Sequence, residues 1–68
     1  MDLQAFHSVL ASKGMTKTEL ARNIGMDRAT IYRKLATNGE RFTVQEVNAI
    51  RRALRLDQQT ANKIFFEE

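Results

Sequence analysis

The sequence predicts an all-α fold, a compact set of five short helices, and three observations point to it. Proline is absent from all 68 residues. Apolar and polar residues never alternate for long enough to suggest a strand. Five separate stretches begin with a side chain able to cap a helix N-terminus, namely Asp2, Thr16, Asp27, Thr43 and Asp57. Residues 1–68 read as a single domain with room for one core. A chain of this size hides only about 60% of the surface its unfolded form exposes, so its stability margin is small.

Each helix has its own start and stop. Asp2 precedes Leu3, Phe6 and Leu10, whose spacing draws one apolar stripe, and Gly14 supplies a left-handed end. Thr16 with Glu19 makes a capping box ahead of Leu20, Ala21 and Ile24. Asp27 caps a third helix carrying Ile31 and Leu35, which Asn38-Gly39 ends. Thr43 with Glu46 is a second capping box, introducing Val47, Ile50 and Leu54. Asp57 starts a last helix with Ala61, Ile64 and Phe65, and Glu67 and Glu68 are expected to belong to a frayed end. The connections are a few residues long, as in compact helical domains.

Composition removes several function classes. There is no cysteine, hence no disulfide, thiolate ligand or cysteine nucleophile. His7 is the one histidine and has no partner at metal-ligand spacing, so neither a metal site nor a cofactor is expected. General acid–base chemistry needs positioned partners in a pocket, and the scattered acids supply none, so no enzyme is expected. No apolar run approaches the roughly 20 residues of a membrane span, and the acidic start lacks the basic region of a signal peptide. The net charge of +3 suits a polyanionic partner.

The stretch Leu20–Ile31 carries the most information. A small residue at Ala21 lets two helices cross closely. Gly25, four residues later, permits the positive φ of a tight turn between steeply angled helices. "TKTELARNIGMDRATIYRKL" resembles the helix-turn-helix of phage repressor and Cro-like regulators, the lambda-repressor-like or XRE family, through Leu20-Ala21, Ile24-Gly25 and Ile31. "FTVQEVNAIRRALRL" and "DQQTANKIFF" resemble that family's fourth and fifth helices. The resemblance implies a five-helix DNA-binding domain with its helix-turn-helix at residues 17–36 and its recognition helix at 28–36. It also implies cytoplasmic work on the nucleoid of a bacterial or phage-infected cell. Two positions depart from the family pattern. Lys17 stands where glutamine is common, and Lys34 where an apolar residue is usual.

With Ile31 turned to the core, the opposite face of the third helix holds Ala29, Arg33 and Ala36, bordered by Thr30 and Tyr32. In the family the N-terminal end of this helix enters the major groove, bringing Asp27 and Arg28 within reach of base edges. The candidate base-contacting set is therefore Asp27, Arg28, Ala29, Thr30, Tyr32 and Arg33. Arg28 and Arg33 lead it because arginine pairs with O6 and N7 of guanine, whereas Asp27 is chiefly a cap. The phosphate-contacting candidates are Lys17, Thr18, Asn38 and Arg41; Phe42 belongs to the core. Arg51, Arg52 and Arg55 read as a solvated face of the fourth helix.

The function implied is sequence-specific binding of double-stranded DNA by a transcriptional regulator, a homodimer on an inverted repeat. Half-sites about 34 Å apart then match one turn of B-DNA. Ile64, Phe65 and Phe66 are the expected dimer seam, since adjacent residues lie about 100° apart on a helix and both phenylalanines cannot sit centrally in one small core. The alternative reading uses the same fold as a protein-interaction module, an antitoxin or adaptor, through that C-terminal apolar surface. No small-molecule substrate is evident.

Overall fold

The computed structural model describes residues 1–39 and 41–66. Glu67 and Glu68, expected to belong to a frayed end, lie outside the described residues. Five helices follow one another: α1 (Leu3–Ser12), α2 (Lys17–Asn23), α3 (Arg28–Ala36), α4 (Val44–Leu54) and α5 (Gln58–Phe65). All five expected caps form. The side chains of Asp2, Thr16, Asp27, Thr43 and Asp57 each accept a backbone N–H of the helix that follows. Both capping boxes close, Glu19 and Glu46 reaching back to the N–H of Thr16 and Thr43 at 3.0 and 2.9 Å.

The helix ends share a second local device. At α1 the N–H of Met15 returns to the Leu10 carbonyl, and at α2 that of Met26 returns to Ala21. At α3 Gly39 returns to Lys34, and at α4 Leu56 to Arg51. Each closes a six-residue loop of the Schellman kind, which needs a left-handed residue just past the helix. Glycine fills that place after α1 and α2, and Asn38 (φ 61°) after α3. After α4 the left-handed residue is Arg55 (φ 54°), a conformation that costs a side chain about 1–2 kcal/mol. The turn is held because it drives Leu56 into the core.

That core gathers one stripe from every helix: Phe6 and Leu10, Leu20 and Ala21, Ile31 and Leu35, Ile50 and Leu54, Ala61 and Ile64. Phe6, Leu20, Ile31, Ile50, Leu54 and Ile64 are essentially inaccessible to solvent. Phe42 packs against this cluster without being fully buried, and Val47 is half-buried at its edge. α2 packs on α3 and on α4, while α1 packs on α5. The N–H of Asp2 donates to the Ile64 carbonyl at 2.7 Å, so the start of the chain is tied to α5.

Three cap carboxylates sit below their ordinary pKa. Glu19 is lowered chiefly by the Thr16 N–H, Glu46 by the Lys34 ammonium and then the Thr43 N–H, and Asp57 by the Thr60 N–H. A depressed folded-state pKa contributes stability that is complete above the unfolded value and lost as pH falls through the folded one. The melting temperature is therefore expected to hold from pH 7 to about 5 and to fall below about pH 4, where unfolded carboxyls protonate. Circular-dichroism melts across this range check it; a melting temperature unchanged to about pH 2 contradicts it.

Candidate nucleic-acid interface

The turn that sets α3 against α2 is built from three residues. Ala21, 1% exposed, offers no bulk where the helices cross. Gly25 takes φ 73°, and Met26 donates its N–H to Ala21 at 2.8 Å while its side chain packs against the core. The Asp27 carboxylate then accepts the Ala29 N–H at 3.1 Å and starts α3. With its carboxylate engaged there, Asp27 acts as the cap the sequence suggested.

Ile31 and Leu35 turn inward, which leaves Arg28, Ala29, Tyr32, Arg33, Ala36 and Thr37 exposed, with Thr30 half-buried at the border. This outer face is ordered by its own contacts. Arg33 donates from Nη2 to the Thr30 hydroxyl at 3.2 Å, one turn back along the helix. Thr30 therefore restrains the guanidinium rather than presenting a free hydroxyl. On the side of α3 that faces the start of α2, two cations converge on Tyr32. The Lys17 ammonium lies 5.4 Å and the Arg28 guanidinium 5.5 Å from its ring centre, distances at which the ring face attracts a cation.

Tyr32 also reaches across to α2. The Thr18 hydroxyl, above all, and then the charges of Arg28 and Lys17 hold the Tyr32 phenol below its ordinary pKa. Lys17 and Thr18, both half-buried, thus meet α3 through this tyrosine. Lys17 stands where the family commonly has glutamine, and in this chain the start of α2 meets α3 through an aromatic ring. The sequence named these residues separately; nothing in their spacing announced that they meet.

The second basic group lies at the C-terminal end of α3. Thr30, Arg33, Lys34, Ala36, Thr37 and Arg41 line one groove. Arg33 and Arg41, expected to read a base and a phosphate respectively, therefore face the same space. Asn38 is exposed, and its left-handed backbone turns the chain from α3 toward Arg41.

Lys34 is not on the outer face. Its ammonium makes a two-pronged ion pair with Glu46 at 2.6 and 2.8 Å, and lies 5.8 Å from the centre of the Phe42 ring. The apolar role expected at this position passes to Leu35, 6% exposed. Glu46, which the sequence presented only as half of a capping box, holds this lysine as well.

The expected seam at the C-terminus divides. Ile64 is 1% exposed and belongs to the core, whereas Phe65 is partly buried and Phe66 is 60% exposed. Met1, Phe42, Val47, Phe65 and Phe66 line a shallow groove beside Asn38 and Gly39. Val44, one turn before Val47 on α4, is 77% exposed, a residue the sequence reading did not single out. The arginines in and just after α4 also differ from a uniform solvated face. Arg52 and Arg55 are exposed, but Arg51 is half-buried, and its Nε is covered without a hydrogen-bond partner among the described residues.

Among the described residues no group of three histidine, cysteine or acidic side chains is placed to hold a metal ion, and His7 is exposed. No described helix is long and apolar enough to cross a membrane. In comparisons with known proteins, no curated protein and no solved structure matches the chain. A family model does match, that of the Cro/C1-type HTH DNA-binding domain, over residues 6–64. That span takes in all of α2–α4, the turn at Gly25, the exposed face of α3 and most of α1 and α5. The chain belongs to the Cro/C1-type helix-turn-helix DNA-binding domains.

Proposed function

We propose that this protein is a sequence-specific transcriptional regulator of the repressor or Cro kind, a binding protein with no catalytic step. It sets α3 in the major groove of double-stranded DNA, as a homodimer on an inverted repeat, on the nucleoid in the cytoplasm. The observation that carries this reading is the outer face of α3. Arg28 and Lys17 are each held against the Tyr32 ring, Arg33 is restrained by Thr30, and Arg41 lines the groove beside Arg33.

In this reading Arg28 and Arg33 each pair with a guanine. Ala29 and the Thr30 methyl permit close approach to a thymine methyl. Tyr32 borders the read bases, and Asp27 takes part only where a cytosine amine faces it. Lys17, Thr18, Asn38 and Arg41 meet phosphates on either side and set the register without reading sequence. Selection of binding sites from random duplex DNA tests this: an inverted repeat with guanines in each half-site is the expected result. Recovery of unselected sequence overturns it.

The dimer reading rests on the apolar groove lined by Val47, Phe65 and the exposed Phe66, since exposed apolar patches mark interaction sites. Phe66→Ser is expected to shift the chain from dimer to monomer in sedimentation equilibrium and to weaken binding to the full repeat more than to one half-site. A monomeric wild-type chain contradicts this. The same patch also favours a second reading, a module that docks a different protein. That reading predicts a stable hetero-complex and DNA binding without sequence preference.

A further inference from the structure

Lys34 touches three elements. Its backbone carbonyl accepts the Gly39 N–H and the Thr37 hydroxyl, both at 2.9 Å, and so closes the end of α3. Lys34 also lines the groove shared by Arg33 and Arg41. Its ammonium crosses to α4 and grips both oxygens of Glu46, one of which also accepts the Thr43 N–H that begins that helix. The two side chains are only 18% and 25% exposed. One residue therefore spans the whole connection between α3 and α4, with Asn38 and Arg41 inside the span.

Its charge is already matched. An ammonium held by a carboxylate in two-pronged contact, over the Phe42 ring, is not one that a DNA phosphate would recruit from solvent. Such a pair fixes geometry: both partners are restrained and half-desolvated, so the separation of α3 from the α4 cap has one preferred value. What hangs from that separation is the position of Arg41 relative to Arg33.

We propose that Lys34 is a positioning residue, and that its ion pair with Glu46 clasps the α3–α4 connection so that Arg33 and Arg41 meet DNA in one fixed register. The proposal deepens the DNA-reading function above and rests on it. Lys34 contacts no phosphate; it acts through Arg41 and Asn38.

Three variants test the clasp: Lys34→Met, which keeps the stem; Glu46→Gln, which keeps the capping box; and the two combined. Each single change is expected to weaken binding to the selected duplex about tenfold, and the double change no more than Lys34→Met alone, because both break one link. The slope of log affinity against log salt stays at the wild-type value in Lys34→Met. Glu46→Gln weakens selective binding although it makes the protein more positive. A phosphate-contacting lysine gives the opposite pattern: the slope magnitude falls by about 0.9, and Glu46→Gln binds more tightly. That pattern overturns the proposal.

A reading without DNA separates failure of the clasp from failure of the DNA-reading function. Heteronuclear NOE values of the amides at Asn38, Gly39 and Arg41 are expected to drop in both single variants. Unchanged values overturn the clasp whatever the DNA result. If the wild-type chain selects no sequence while those amides do respond, the DNA-reading function fails and the clasp stands as a structural link only.

Discussion

Replacing Arg28 and Arg33 together with alanine is expected to abolish selective DNA binding while leaving the fold intact. Each arginine–guanine pair is worth about 1–3 kcal/mol of discrimination, so two lost pairs amount to roughly 30-fold to 10⁴-fold in the specificity ratio. The fold is spared because both side chains are exposed and neither enters the core. Alanine is also the strongest helix former, which offsets the lost Arg33–Thr30 hydrogen bond. Fluorescence-anisotropy titrations against the selected duplex and an unrelated one, beside a circular-dichroism melt, check both halves. Unchanged discrimination contradicts the assignment of this face.

Phe6→Ala is expected to remove DNA binding by the opposite route. Phe6 is fully buried, far along the chain from α3, and contributes the largest side chain of the core. Truncating a buried phenylalanine costs about 3–5 kcal/mol. A 68-residue domain has roughly 3–10 kcal/mol in total at about 0.05–0.15 kcal/mol per residue. Most of the stability goes with one side chain, and a large share of the population is then unfolded at 37 °C. Urea titration measures this directly. A loss under about 1 kcal/mol contradicts the placement of Phe6 at the centre of the core.

What was legible in the sequence is what local chemistry decides. A capping carboxylate or hydroxyl acts within three residues, and all five of those expected at Asp2, Thr16, Asp27, Thr43 and Asp57 form. The outer face of α3 was equally legible, because helical angles alone turn Ala29 and Arg33 away once Ile31 faces the core. The turn at Gly25 announced itself through a glycine at left-handed φ.

Non-local pairing was not legible. Glu46 lies twelve residues and one helix beyond Lys34, and its capping-box role already accounted for its presence. Tyr32 meets Thr18, Lys17 and Arg28 because of the angle between two helices, which no spacing encodes. The end of α4 was hidden for another reason: its left-handed residue is an arginine, so no glycine marked it, and Leu56 went unnoticed as a core residue. At the C-terminus the separation of Phe65 from Phe66 followed from the angle between neighbours. That Ile64 would be spent wholly on the core depended on how α5 rotates against α1.

In the proposed function, α3 and the connection after it form the DNA-reading surface. The most direct test is amide chemical-shift mapping of the wild-type chain on addition of the selected duplex. The largest changes are expected at Arg28, Ala29 and Arg33, with a second group at Lys17, Thr18, Asn38 and Arg41. Largest changes instead at Val44, Val47 and Phe66, with α3 unmoved, would contradict it.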